Sequence, residues 1–184
     1  MNGSEETIYD KIEARLYEMI VERIKNSKHV LDVGCGECKL ANYIAKATKS
    51  KVIGIDINDD GFTKGRKEAV RLGVSDLVRC IKIDARCFAS VINEKMDVAV
   101  SMYAVHEFEK PVEVLKEVNK VLKPGGKIII IDFIKGSTAE KTWSERYYTP
   151  NQIKGLLKKA GFNKLETEFP EAKELVFVQG IKKK

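Results

Sequence analysis

The chain has 184 residues, 43% of them hydrophobic, and 33 basic against 27 acidic residues give a formal net charge of +6. This length and apolar content suit one domain, 1–184, better than two. No apolar run approaches the length of a membrane span, and residues 1–6 lack the features of a signal peptide, so we expect a cytoplasmic protein. The lysines are scattered, with a run only at 182–184, which favours a solvated surface over a nucleic-acid-binding face.

Helical and strand patterns alternate along the whole chain. Apolar residues at every fourth position predict a helix over 5–26, and the segment 135–148 lacks periodicity and is interpreted as a loop or mobile lid. The other predicted helices are 38–48, 62–72, 111–122 and 149–160, and the predicted strands are 30–33, 52–57, 78–83, 97–102, 127–133, 164–169 and 174–181. This alternation predicts an α/β domain whose mostly parallel sheet has helices on both faces. Ligands of such sheets bind at the carboxyl ends of the strands.

The most informative segment is the turn after the first predicted strand, Val30-Leu31-Asp32-Val33-Gly34-Cys35-Gly36. Glycine has no Cβ, so the two glycines allow a tight turn and a close approach by a ligand. Asp32 places a carboxylate beside that turn, where it would repel a diphosphate and attract a cationic ligand. An ordinary glycine-rich turn between a strand and a helix is the alternative interpretation.

Carboxylates also follow the next two predicted strands. Asp56 lies twenty positions after Gly36, at the tip of the adjacent strand, where it can accept both hydroxyls of a ribose. Asp84 ends the third strand. Either residue alone is explained equally well as a helix cap, but three carboxylates at one sheet edge predict a polar cleft. Nicotinamide dinucleotides also fit the spacing, although their motif usually has a third glycine where this chain has Lys39.

These segments resemble the motifs of class I S-adenosylmethionine-dependent methyltransferases, in particular the branch that acts on small molecules. The resemblance covers roughly 28–181, and Cys38 stands where the common first motif has a third glycine. The matching segments are 30–36, 96–101, the Val-Leu-Lys-Pro-Gly-Gly turn at 121–127, and 148–162. The resemblance implies a Rossmann-like three-layer sandwich with a seven-stranded sheet in the order 3-2-1-4-5-7-6, the seventh strand being antiparallel.

The same resemblance implies S-adenosylmethionine as the cofactor. Asp56 would hold the ribose, and Asp84 with Ala85 would contact the adenine. The full set of cofactor-binding residues that it implies is Asp32, Gly34, Cys35, Gly36, Asp56, Ile57, Asp84, Ala85 and Ser101.

The methyl group of a sulfonium is already activated, so its transfer is an in-line displacement that depends mainly on positioning. A base is needed only where the acceptor carries a proton that it cannot lose by itself. His106, just after the fourth strand, is the best-placed candidate base, with Tyr103 as a second candidate catalytic residue. A packing or helix-capping role explains His106 equally well. His29 lies at the opposite end of the sheet, and Glu107 is a partner of His106 or a surface acid.

The predicted acceptor is a small molecule enclosed by the N-terminal helix, within 1–27, and by the segment 135–148. The aromatic and basic residues of these segments could orient a compact acceptor, including an anionic one: Tyr9, Tyr17, Trp143, Arg146, Tyr147 and Tyr148. The alternatives are an RNA or protein methyltransferase, a non-catalytic module that binds an adenosine cofactor, and a dinucleotide oxidoreductase. The segment 101–104 lacks the Asn/Asp-Pro-Pro-aromatic motif of amide methylation. A monomer or homodimer is expected.

Four cysteines, Cys35, Cys38, Cys80 and Cys87, are expected to be reduced, metal-free residues in a cytosolic protein. The pair formed by Cys35 and Cys38 is also typical of a redox site, since it follows a strand and opens a helix. A zinc site would need a second close pair, which the gap between Cys80 and Cys87 does not provide. We therefore expect no metal site.

Overall fold

The computed structural model describes residues 8–183, and side chains from Ile12 onward, so the predicted role of Tyr9 falls outside the described side chains. Helices and strands alternate through this part of the chain. The helices are α1 (Ile8–Ile24), α2 (Lys39–Thr48), α3 (Phe62–Leu72), α4 (Pro111–Val121), α5 (Thr138–Trp143) and α6 (Pro150–Lys159). The strands are β1 (His29–Val33), β2 (Lys51–Asp56), β3 (Val78–Lys82), β4 (Met96–Met102), β5 (Leu122–Phe133), β6 (Phe162–Glu171) and β7 (Leu175–Lys182).

The strands form one sheet in the order β3-β2-β1-β4-β5-β7-β6, which confirms the order implied by the resemblance. Strands β1 to β5 pair with one another in parallel, and β7 runs antiparallel between β5 and β6. The order reverses direction between β1 and β4. The carboxyl ends of these two strands therefore flank the crevice in which such sheets bind ligands.

Two hydrophobic cores lie on the two faces of the sheet. Along β5, Ile128 and Ile130 join the core beneath α4 and α6, while Ile129 and Ile131 join the core beneath α1, α2 and α3. This alternation follows from the two-residue period of a strand. Each fully buried isoleucine contributes about 1.5–3 kcal/mol, so an unbroken apolar run favours a strand covered on both faces. Strand β5 is accordingly an interior strand.

The predicted loop 135–148 contains a helix that the sequence pattern did not indicate. Helix α5 begins at the cap residue Ser137, whose hydroxyl accepts a hydrogen bond from the Glu140 amide, and Ala139 is its buried residue. Six residues are too few for a helical period to be recognised. By contrast, α6 begins as predicted at Thr149, which forms a reciprocal capping box with Gln152. None of the helices within 8–183 has the length and apolar content to cross a bilayer.

Candidate active site

The turn after β1 is held tightly against its neighbours. Gly34 has a φ of 77°, and a Cβ at this position would lie 2.4 Å from the Cβ of Ala104 in the segment after β4. The amides of Gly34 and Cys35 both donate to the carbonyl of Ile55, at 2.9 and 3.1 Å. Only glycine satisfies both the backbone conformation and the close approach at position 34.

Asp56, at the end of β2, faces this turn. One carboxylate oxygen accepts a hydrogen bond from the Gly36 amide at 2.8 Å and the other accepts from the Asn58 amide at 3.0 Å. A carboxylate oxygen has two lone pairs, so each oxygen can still accept a hydroxyl. Asp56 borders a cavity of about 430 Å³, the glycine-turn cavity. Ile57 lines it with a side chain that is 69% exposed, which leaves an apolar surface free for a flat ring.

Asp32 lies behind the turn, fully buried within β1. Its Oδ2 atom has no hydrogen-bond partner within the described part of the chain. Burial, and then the charge of Asp56, raise the pKa of Asp32 to about 7. A buried carboxylate oxygen without a partner is costly, and a bound cation would relieve that cost. Asp32 lines a smaller cavity of about 230 Å³, the Asp32 cavity, together with Tyr17 and Cys35.

The far wall of the glycine-turn cavity contains Asp84 and Ala85, in the segment after β3. The Asp84 carboxylate is bound by the Arg86 guanidinium, with contacts of 2.6–3.0 Å, and Arg86 reaches Glu109 at 3.3 Å. Arg86 lines the cavity but was not among the predicted site residues. Ser101 behaves differently from its expected role, because its buried hydroxyl donates to the Val33 carbonyl at 2.9 Å and does not line the cavity.

Tyr103, directly after β4, lies where three cavities meet. It lines the glycine-turn cavity, the Asp32 cavity and a third cavity of about 760 Å³, the aromatic cavity. Its backbone has a φ of 57°, which is uncommon for a residue other than glycine. Its ring stacks on Phe133 with a centroid distance of 4.9 Å, and burial raises the pKa of its hydroxyl. A strained residue at such a junction is typical of a functional position.

His106 and Asp132 form a buried dyad on the wall of the aromatic cavity. The Nδ1 atom of His106 lies 2.8 Å from Asp132 Oδ1, and the His106 amide donates to Asp132 Oδ2 at 3.1 Å. The other ring nitrogen, Nε2, lies 3.3 Å from a carboxylate oxygen of Glu145. Burial by itself disfavours the imidazolium, but the hydrogen bond and charge of Asp132 outweigh it, so the pKa of His106 is raised.

Asp132 was missed by sequence reasoning, although a signal for it exists. It is a single carboxylate directly after the apolar run Ile128–Ile131, and it is 1% exposed. A buried charge within an apolar strand requires a partner. Searching for that partner among the polar residues at neighbouring strand ends would have indicated His106.

The aromatic cavity extends from the dyad to α1 and to the segment after β5. Of the residues predicted to surround an acceptor, Trp143 and Tyr147 line this cavity. The prediction is wrong for Arg146, whose side chain is exposed to solvent outside the lining, and for Tyr148, which packs against the core beneath α4 and α6. The complete lining is Ile12, Glu13, Tyr103, His106, Glu107, Phe133, Thr138, Trp143, Glu145, Tyr147, Glu171, Glu174 and Leu175.

The expectation of four reduced cysteines is wrong for Cys38 and Cys80, which form a disulfide. Parallel pairing places Cys80 beside Gly54 of β2, and a Cβ on Gly54 would lie 2.8 Å from the sulfur of Cys35. The glycine thus makes room for sulfurs that are distant in sequence. Cys35 is free and buried, and Cys87 is free and exposed.

Substitution of Gly34 tests how tightly the turn is packed. We expect Gly34→Ala to lower the free energy of unfolding by about 1–3 kcal/mol, because alanine would be strained at positive φ and would overlap Ala104. Urea denaturation measures this loss. Gly155→Ala is the matched control, since a Cβ there meets nothing within 4 Å in α6 and should be neutral or stabilising. Equal stability of the two variants would contradict the packing described.

Comparison with known proteins agrees with the class that this fold and site define, the Rossmann-like methyltransferases. The family described as a methyltransferase domain matches residues 24–171. The sterol 4-C-methyltransferase of Caenorhabditis elegans is 32% identical over 141 residues, covering 73% of this chain and 40% of the relative. A probable cobalt-precorrin-6B C(15)-methyltransferase of Saccharolobus solfataricus is 27% identical over 182 residues, covering 98% of this chain and 81% of the relative.

The chain therefore belongs to the methyltransferase domain family, and it spans less than half of the sterol methyltransferase that it matches. Solved structures share its fold, and two of them serve as examples. A putative O-methyltransferase from Nostoc punctiforme superposes with a TM-score of 0.80 at 16% identity, covering 95% of this chain and 58% of the other. The [4+2]-cyclase SpnF superposes with a TM-score of 0.80 at 18% identity, covering 99% of this chain and 85% of the cyclase.

Proposed function

We propose that this domain is an S-adenosylmethionine-dependent methyltransferase that transfers a methyl group to a small molecule. The proposal rests on one observation: the glycine-turn cavity and the aromatic cavity meet at Tyr103 and Glu107. Both residues line the glycine-turn cavity and the aromatic cavity, so a donor in the first would lie beside an acceptor in the second. Family membership supports methyl transfer, while the likeness to a cyclase shows that the fold by itself does not decide the activity.

The residues of the glycine-turn and Asp32 cavities fit the cofactor. Asp56 can accept the ribose hydroxyls, Ile57 and Ala85 offer apolar contacts to the adenine, and the unpartnered oxygen of Asp32 suits the positive charge of the methionine part. When bound, S-adenosylmethionine supplies an electrophilic methyl group, and the electron pair of the broken carbon–sulfur bond stays on sulfur.

We assign His106 the role of general base. In this assignment Nδ1 donates its hydrogen to Asp132. Nε2, which lies 3.3 Å from the Glu145 carboxylate, then has its electron pair on the side of the aromatic cavity. From there, neutral His106 can accept the proton that the acceptor loses as the new bond forms. Asp132 is a positioning residue, because it fixes the tautomer and the ring orientation of His106 and stabilises the imidazolium that results.

Trp143 provides the test of the acceptor site. Its side chain is 48% exposed and stacks edge-on against Phe133 at 5.3 Å, so it lines the aromatic cavity without contributing to the fold core. We expect Trp143→Ala to lower kcat/KM for the acceptor at least tenfold while the Kd for S-adenosylmethionine changes less than twofold. Transfer of a labelled methyl group to fractions of a metabolite extract, followed by calorimetry, measures both quantities.

Phe169→Ala is the matched control, because Phe169 is an exposed aromatic residue of β6 outside the lining of the cavity. It should leave both quantities unchanged. Labelling of bulk RNA instead of a small molecule, with a steep dependence on salt, would contradict the proposed function.

A further inference from the structure

The aromatic cavity differs in charge from the rest of the chain. Five glutamates line it, and no lysine or arginine does so within the described residues: Glu13, Glu107, Glu145, Glu171 and Glu174. The chain as a whole has an excess of basic residues, at 33 against 27. Composition therefore does not explain an acidic lining, and the sequence-based expectation of a basic lining that includes Arg146 is wrong.

Few cations compensate these carboxylates. Arg15 lies 3.3 Å from Glu171. His106 is shared among Asp132 at 2.8 Å, Glu145 at 3.3 Å and Glu107 at 3.9 Å. The two remaining partners are neutral, since Glu13 accepts from the Tyr17 hydroxyl and Glu174 accepts from the amide and hydroxyl of Thr138. The cavity keeps negative charge even when His106 is protonated.

The pKa of Glu107 agrees with this excess of negative charge in the aromatic cavity. Burial first, and then the negative charges of Glu145, Asp56 and Asp132, raise the pKa of Glu107 despite the neighbouring His106. An anionic acceptor would meet the same repulsion, which is strong where water is excluded.

Aromatic rings form the other part of the lining. Phe133 is at the centre of this group, with the ring of Tyr103 stacked at 4.9 Å and those of Trp143 and Tyr147 edge-on at 5.3 and 5.6 Å. The face of an aromatic ring attracts a cation, and the attraction grows when both are removed from water. The carboxylates and the ring faces thus both favour a positively charged ligand.

A bare metal ion does not fit this arrangement. Within the described residues, the only three potential metal ligands whose atoms lie within 4.8 Å of one another are Cys35, Cys38 and Cys80, which are outside the aromatic cavity. The glutamates surround the cavity without converging on one point. With about 760 Å³ available, they match a cation of molecular size that carries its charge on an apolar body.

We propose that the methyl acceptor is an organic cation, which carries a protonated amine on an aromatic or other apolar body. The ammonium group serves for binding, because it has no free electron pair. The methyl group is taken by another nucleophilic atom of the same molecule, whose proton passes to neutral His106. The inference rests on the proposed function, because it concerns the acceptor site of that reaction. The aromatic cavity itself is defined by its volume, its rings and its junction with the glycine-turn cavity, and the carboxylates determine the charge of its occupant.

The test compares two probes that share one ring system, tryptamine and indole-3-propionate, which carry opposite charges at neutral pH. Their binding to the full chain is measured by calorimetry at low ionic strength with saturating S-adenosylhomocysteine. We expect tryptamine to bind at least tenfold more tightly than indole-3-propionate. Glu107→Gln and Glu171→Gln should each reduce that preference at least threefold, and added salt should weaken it.

Glu94→Gln is the control, since it removes the same charge from an exposed residue paired with Arg79, away from the aromatic cavity. It should leave the preference unchanged. Equal or tighter binding of the anion, an effect of Glu94→Gln as large as those of the cavity variants, or no binding of tryptamine would overturn the inference. Binding of S-adenosylhomocysteine and transfer of labelled methyl are recorded in parallel, so that loss of these signals identifies a failure of the proposed function instead.

Discussion

We expect Asp56→Ala to weaken the binding of S-adenosylmethionine by about 10- to 150-fold. The reason is the loss of a charged acceptor that faces the glycine-turn cavity, and such hydrogen bonds contribute about 1.5–3 kcal/mol. The same substitution removes the link from Asp56 to the Gly36 amide, so the turn loses one of its supports. Calorimetric titration with S-adenosylmethionine and with its demethylated product measures the effect.

Asp60→Ala is the matched control for this experiment. Asp60 lies in the same segment after β2 and is exposed, and its carboxylate accepts no hydrogen bond from another described residue. Its removal should change the cofactor Kd less than twofold, and thermal melting should show that both variants fold. NAD should not bind to the unaltered chain. Tight binding of NAD with no response to S-adenosylmethionine would contradict the assignment of the glycine-turn cavity.

We expect His106→Gln to lower kcat by about 10²- to 10⁴-fold, the usual contribution of a general base. The Kd for S-adenosylmethionine should remain within twofold, because His106 lines the aromatic cavity and not the glycine-turn cavity. His29→Gln is the control, since His29 begins β1 at the opposite end of the sheet. Full activity of His106→Gln would show that the acceptor loses its proton without help and that His106 has a packing role.

The dependence of the methyl-transfer rate on pH distinguishes a base from a packing residue, because a His106 that only packs would not affect it. Only neutral imidazole can accept a proton, and the pKa of His106 is raised by Asp132, so the rate should rise with pH through a value above the ordinary 6.5. Removing the negative charge in Asp132→Asn should lower the pKa of His106. The rise in rate should then move to lower pH, while the maximal rate falls because the ring is less well oriented.

Much of the fold and part of the candidate site could be predicted from the sequence, because the relevant signals are local. The isoleucine run of β5, the positive φ of Gly34 in the turn after β1, and the capping box at Thr149 are each properties of a few successive residues. Asp56 was predicted at the strand tip for the same reason, since register in a parallel sheet places successive strand ends along one edge. Helix α5 was missed because six residues carry too little periodicity.

The sequence by itself thus determined the order of the strands, through its resemblance to a family, and the position of Asp56 at the tip of β2. Only the tertiary structure decided the partner of His106, the pairing of Cys38 with Cys80, and the charge of the aromatic cavity. Asp132 lies 26 positions from His106, and Cys80 lies 42 positions from Cys38. Contacts of this kind depend on how separate strands and helices pack together, and a local pattern carries no information about that packing.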